Sequence, residues 1–194
     1  FEVEYETPSG IEKFSCDSYH AVDSAFSKEW DRYKISEDLI KKVNDILPNY
    51  KVDIVLTGGE PLLYWKNEQF QKFMKYYIDK GFHITIETNG SINIQLKEDW
   101  QKKILFSISV KLSNSSEPLS KRVNIKNLTN IINFVNESYL KFVVDNKFLE
   151  KYKNEIRNII NNIPKVDVYL MPLGDTAEII DKNSLAVINM AIKN

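Results

Sequence analysis

Five short apolar runs, at 53–56, 82–86, 104–109, 140–144 and 166–170, alternate with stretches whose apolar residues recur at helical spacing. That alternation restricts the fold more than any other feature, because two parallel strands need a crossover of a dozen or more residues, usually a helix. Ser36 is placed to cap a helix that runs to about Leu47 and ends at Pro48. Asn67 to Lys80 carries Phe70, Phe73, Met74, Tyr77 and Ile78 on one stripe and stops at Gly81. A loop and short helix precede the third run, and further helices are expected over about 128–136 and 149–163. The pattern predicts an α/β fold with a parallel sheet. It is either a complete or partial β/α barrel, or an open doubly wound sheet, and periodicity does not separate these. Before residue 30 only a small hairpin is expected, 1–6 with 11–14, turning at Pro8-Ser9-Gly10.

At 194 residues the chain is expected to form one domain with a sizeable core. Twenty-six basic and 27 acidic side chains leave a net charge of −1, which argues against a nucleic-acid partner. No apolar run approaches the roughly 18 residues that span a bilayer, and no signal peptide is visible. Cys16 is the only cysteine, which excludes an intrachain disulfide and suits a reducing cytoplasm. The chain opens at Phe1 and closes at Asn194 in a helical pattern, so segments at both ends of a longer protein are expected to be missing.

Carboxyl ends of strands are where α/β proteins build ligand sites. The first run ends in Gly58-Gly59-Glu60-Pro61. Two glycines leave the backbone open to close approach, and the Glu60 carboxylate facing that opening suits an ammonium group. The second end is Glu87-Thr88-Asn89-Gly90, where a carboxylate beside a hydroxyl suits a ribose diol. An Asx-type turn with Glu87 solvated is the plain alternative. At the third, Ser109 and Lys111 are two apart and share a side of an extended chain. A lysine there suits a carboxylate and the serine a ribose hydroxyl. At the fifth, Met171 either fills the core or lies against an adenine. Three successive strand ends therefore match the amine, ribose and carboxylate of one zwitterionic nucleoside.

Thr57-Gly58-Gly59-Glu60-Pro61-Leu62 resembles the motif with which radical S-adenosylmethionine (SAM) enzymes hold the methionine amino group of SAM. The resemblance narrows to the 7-carboxy-7-deazaguanine synthases. It rests on Leu-Thr-Gly-Gly-Glu-Pro-Leu-Leu at 56–63, Ile-Glu-Thr-Asn-Gly at 86–90 and Ser-Val-Lys at 109–111, with Leu-Lys-Phe-Val-Val at 140–144 and Tyr-Leu-Met-Pro at 169–172. That family usually has Ser-Pro-Lys at the third position; Ser-Val-Lys keeps both polar groups. The resemblance implies an incomplete β/α barrel with helices outside, and a lyase that contracts the ring of 6-carboxy-5,6,7,8-tetrahydropterin to 7-carboxy-7-deazaguanine with loss of ammonia. It also implies a [4Fe-4S] cluster, SAM and Mg²⁺, a reductant such as flavodoxin or ferredoxin, and a homodimer.

Cys16-Asp17-Ser18 resembles the family's Cys-Asp-Thr, which makes Cys16 the last cluster ligand, Ser18 a Mg²⁺ ligand and Asp17 a neighbouring substrate contact. Residues 1–30 then form an expanded cluster loop whose hairpin is the insertion. Thr57 and Asn89 are the further substrate contacts expected. A buried, inert thiol is the other reading of Cys16. Two rival functions stay open: a glycyl-radical-enzyme activase of the same superfamily, and a non-catalytic nucleoside-binding β/α module. Cys16→Ala in the full-length protein is expected to abolish the brown chromophore and all SAM cleavage. Iron and sulfide analysis after anaerobic reconstitution checks this, and normal iron content in the variant makes the thiol structural.

Overall fold

The apolar runs pair into a single parallel sheet whose outer face the helices cover. A computed structural model describes residues 3–7, 10–14, 36–46 and 52–192. Strands β1 (Val3–Thr7) and β2 (Gly10–Phe14) form an antiparallel hairpin with Thr7 opposite Gly10. The sheet consists of β3 (Ile54–Leu56), β4 (Ile84–Thr88), β5 (Ile104–Ser109), β6 (Glu137–Val144) and β7 (Asp167–Pro172). Helices α1 (Ser36–Ile46), α2 (Glu68–Asp79), α3 (Leu119–Arg122), α4 (Ile125–Phe134), α5 (Leu149–Ile160) and α6 (Ala177–Ile192) complete the described elements, with short 3₁₀ turns between.

All four pairings in the sheet are parallel and the spatial order is the chain order, β3-β4-β5-β6-β7. A doubly wound sheet reverses direction at a switch point, and this one never does. Right-handed crossovers that always step the same way stack their helices on one side. Strands β3 and β7 do not pair, so the sheet is an arc, a partial β/α barrel.

Register sorts the side chains between the two faces. Ile84, Ile86, Phe106, Ile108, Leu140, Phe142 and Val144 point outward and are buried against Met74, Tyr77, Leu128, Ile131, Tyr152 and Ile156. Each such side chain is worth about 1.5–3 kcal/mol of burial. The opposite, concave face carries Val55, Glu87, Ser107, Ser109, Tyr139, Lys141, Tyr169 and Met171. Met171 is 42% exposed there, which corrects the reading of it as a core residue.

Local chemistry explains where the elements begin and end. Asn67 caps α2 by accepting from the Gln69 and Phe70 N–H groups, and Gly81 leaves the helix with φ +77°. The Phe82 N–H returns to the Tyr77 carbonyl (2.9 Å), so β4 starts at Ile84, two residues later than the apolar pattern. Asn124 accepts from the Asn127 N–H and starts α4 ahead of the expected Leu128. Ser36, expected as a cap, instead donates its hydroxyl to Gln69 Oε1 (2.9 Å) and docks α1 on α2. The Tyr77 phenol supports the same contact through Asn44 Oδ1 (3.1 Å), and burial raises its pKa.

Gly90, just past β4, is buried with φ +73°, and a Cβ there would sit 2.7 Å from Ile108 Cγ2 and 2.8 Å from Leu128 Cδ2. Gly90→Ala therefore combines a left-handed backbone penalty of about 1–2 kcal/mol with overpacking of about 1–3 kcal/mol. A urea titration is expected to show a loss of about 2–5 kcal/mol at unchanged m-value. A shift inside about 0.5 kcal/mol would refute the close packing of this turn against β5 and α4.

Candidate functional site

The end of β3 bends through two left-handed glycines, Gly58 (φ +86°) and Gly59 (φ +55°), both exposed. A Cβ on Gly58 would touch nothing within 4 Å, so backbone conformation, not crowding, requires glycine there. Glu60 follows in an extended conformation and caps the 3₁₀ turn Pro61–Tyr64. Its Oε1 accepts from the Leu62 N–H (3.0 Å) and the Thr88 hydroxyl (2.6 Å), and its Oε2 from the Asn89 N–H (2.9 Å). A carboxylate offers about four acceptor positions, and three are used here. The half-buried anion is thus fastened to the end of β4 with one position left over.

Thr88 lies behind this anion. It is 4% exposed, and its hydroxyl donates to Glu60 while accepting from the Gly90 N–H (3.0 Å). The Thr88 hydroxyl, expected at the ribose, is engaged here by Glu60 and the Gly90 N–H. Glu87, one residue earlier, points to the concave face. The Thr57 hydroxyl donates to its Oε2 (3.0 Å), and Lys141 Nζ stands 3.8 Å from its Oε1. Asn89 bends its own loop by accepting from the Ser91 N–H (2.8 Å).

Beyond β5, Ser109 is half-buried, Val110 is buried and Lys111 is exposed. The loop behind Lys111 is anchored by a buried ion pair. Arg122 Nη1 donates to the Lys111 carbonyl (3.0 Å) and meets Glu155 Oε2 (3.2 Å), which accepts from the Ser113 N–H (2.9 Å). Asn127, also buried, donates to the Gly90 carbonyl (3.0 Å) and accepts from the Ile94 N–H (3.1 Å). Asn183 on α6 joins the last two loops, accepting from the Asn146 N–H and donating to the Leu173 carbonyl. The Tyr152 phenol donates to Asp145 Oδ2 (3.1 Å), and burial, then the Asp145 charge, pushes its pKa up to about 12. Tyr152 therefore stays a donor at neutral pH.

The arc brings Gly58, Gly59, Glu60, Thr57, Glu87, Asn89, Ser109, Lys111 and Met171 to the carboxyl ends of the strands or the concave face beneath them. Cys16, Asp17 and Ser18 lie outside the described residues. Among the described residues no group of three or more His, Cys, Asp or Glu could hold a metal. Lys141, Arg122, Glu155, Asn127 and Asn183 were not anticipated as parts of the site. Only Lys141 left a signal, as a cation interrupting the strand Leu140-Lys141-Phe142-Val143-Val144. A fixed anion beside an open glycine backbone, a second carboxylate on the concave face and a lysine at the rim fit a zwitterionic nucleoside such as SAM.

The profile of the radical SAM superfamily matches residues 16–182. The chain is 28% identical over 202 residues to a 7-carboxy-7-deazaguanine synthase of Halobacterium salinarum, covering 92% of this chain and 72% of that one. It is 29% identical over 123 residues to a 7-carboxy-7-deazaguanine synthase of Clostridium acetobutylicum, covering 62% of this chain and 52% of that one. Among solved structures it is similar to Streptococcus suis SuiB bound to S-adenosylmethionine, with a TM-score of 0.53 and 14% identity over 82% of this chain and 40% of that one. At that identity the likeness speaks for the fold alone.

Glu60→Gln removes the charge that faces an ammonium while keeping the side chain's length. In the cluster-loaded full-length protein, calorimetry is expected to show SAM binding weakened by about 1.5–3 kcal/mol, tenfold or more. Unchanged affinity takes Glu60 out of the site.

Proposed function

Since the chain belongs to the radical SAM superfamily, we propose that it is a 7-carboxy-7-deazaguanine synthase that converts 6-carboxy-5,6,7,8-tetrahydropterin to 7-carboxy-7-deazaguanine and ammonia. The observation that carries this reading is the ordered set of strand-end groups from Thr57 to Met171 on one edge of the arc. Two relatives named for that reaction, at 28% and 29% identity, support it. The chain spans 72% of one of them and about half of the other.

In this reading the chain's own residues divide the work. Glu60, with the Gly58 and Gly59 backbone, binds the SAM ammonium. Glu87, aided by Thr57, takes the ribose hydroxyls. Ser109 supplies a further hydroxyl contact, Lys111 binds the SAM carboxylate, and Met171 lies against the adenine. Cys16 donates a thiolate to the [4Fe-4S] cluster that the superfamily implies. When bound, that cluster supplies the electron that cleaves SAM. Ser18 would offer a hard oxygen to Mg²⁺, whose charge would suit a carboxylate-bearing substrate, and Asp17, Thr57 and Asn89 would contact the pterin. Ring contraction with loss of one ammonia conserves every other atom, so the overall step needs no net oxidant. A reductant such as flavodoxin or ferredoxin, a homodimer and a cytoplasmic setting belong to the same proposal. No helix among the described residues is long and apolar enough to cross a membrane.

The test is anaerobic chromatography of the product made by full-length protein with cluster, SAM, reductant, Mg²⁺ and the pterin. 7-Carboxy-7-deazaguanine is expected, and Ser18→Ala is expected to lose Mg²⁺ dependence or most of the turnover while still binding SAM. If SAM is cleaved only when a polypeptide partner is added and the pterin is left untouched, the activase reading replaces this one.

A further inference from the structure

A carboxylate on an open sheet face turns freely unless its neighbours hold it. Glu87 is held from both sides. The residue just past β3, Thr57, donates its hydroxyl to Oε2 (3.0 Å), and β6 supplies Lys141, whose ammonium reaches across β5 to within 3.8 Å of Oε1. Lys141 sits in register with Ser109, and Glu87 in register with Ser107. On this face the strand between them offers Leu105 and two serines, and no competing charge. Ser107 is fully buried and its hydroxyl has no partner. The Lys141 side chain is 22% exposed and that of Glu87 41%, so the pair is partly shielded from water but not sealed. At 3.8 Å this is an ion pair without a formed hydrogen bond. The ammonium orients the carboxylate yet leaves its acceptor positions largely free.

We propose that Lys141 is a positioning residue of the SAM site. With Thr57 it turns Glu87 so that the remaining carboxylate acceptors face the vicinal diol of the ribose. The inference rests on the reading of Glu87 as the ribose contact. It does not depend on the identity of the second substrate. The competing role, direct contact between Lys141 and the methionine carboxylate, predicts a different response to ligand analogues.

The experiment uses full-length, cluster-loaded protein and anaerobic calorimetry with three ligands: SAM, its 2′-deoxyribose analogue and its decarboxylated analogue. Lys141→Met is expected to weaken SAM and the decarboxylated analogue by about tenfold, the scale of one charge-assisted hydrogen bond, and to leave the deoxyribose analogue nearly unchanged. Lys141→Arg is expected to restore most of the affinity. In a Glu87→Gln background the Lys141→Met change is expected to add no further loss, as coupled neighbours require. Equal weakening of all three ligands makes the role merely structural and overturns the inference. Loss confined to the two carboxylate-bearing ligands, unchanged affinity, or no SAM binding by the parent protein overturns it as well. If Lys141→Met does not fold, Lys141→Gln is read in the same way. A parent protein that binds SAM with this pattern but leaves the pterin untouched keeps the inference and refutes the proposed reaction.

Discussion

Every strand of the sheet runs in the same direction, so all five carboxyl ends emerge at one edge and all the loops that follow them gather there. The site depends on that constraint. Residues 57, 87, 109 and 171 span more than half the chain, yet adjacent strands lie only about 5 Å apart. Sequential strand order keeps the helices on one side, and the outer face takes nearly all the apolar burial. The concave face is thereby free to carry Glu87 and Lys141 without emptying the core.

Loops alone would not hold such groups in place, and here each is tied down by a buried polar side chain. Asn127 closes the turn after β4, the Arg122–Glu155 pair closes the loop after β5, and Asn183 joins those after β6 and β7. A buried ion pair adds little net stability compared with an apolar replacement, but breaking one partner is costly. Arg122 also satisfies the Lys111 and Glu117 carbonyls, which places a backbone that no strand or helix would otherwise hold. Glu60 works in the same way at the first strand end. Two of its contacts fasten the end of β3 to β4, a third caps its own 3₁₀ turn, and one acceptor position remains on a preorganised anion. Such preorganisation lowers the ordering cost that binding has to meet.

Several expectations shifted for one physical reason: neighbouring side chains in sequence face opposite ways on a strand. Glu87 and Thr88 read as a pair of ligand groups, but the pleat sends Glu87 to the concave face and Thr88 into the interior, where it serves Glu60. Met171, equally compatible with a core position, falls on the concave side because β7 pairs with β6 in the register Val143 to Met171. Ser36, a plausible cap, spends its hydroxyl on Gln69 thirty-three residues away. The edges of elements moved where a side chain or a returning backbone bond competed with the apolar pattern, as at Phe82 and Asn124.

The residues by themselves determined the parallel α/β organisation, because the apolar period and the helix-length crossovers are local properties. They also determined the glycine turn and the polar residues that follow β3, β4 and β5, because glycine conformation and the charge of adjacent residues are set within a few positions. Only the tertiary structure decided between an arc and a doubly wound sheet, since strand order is a matter of which edge each crossover returns to. It alone revealed Lys141 beside Glu87, fifty-four residues apart, and the clamps from Arg122, Asn127 and Asn183. Contacts of that range depend on register and loop closure, and no local pattern in the chain records them.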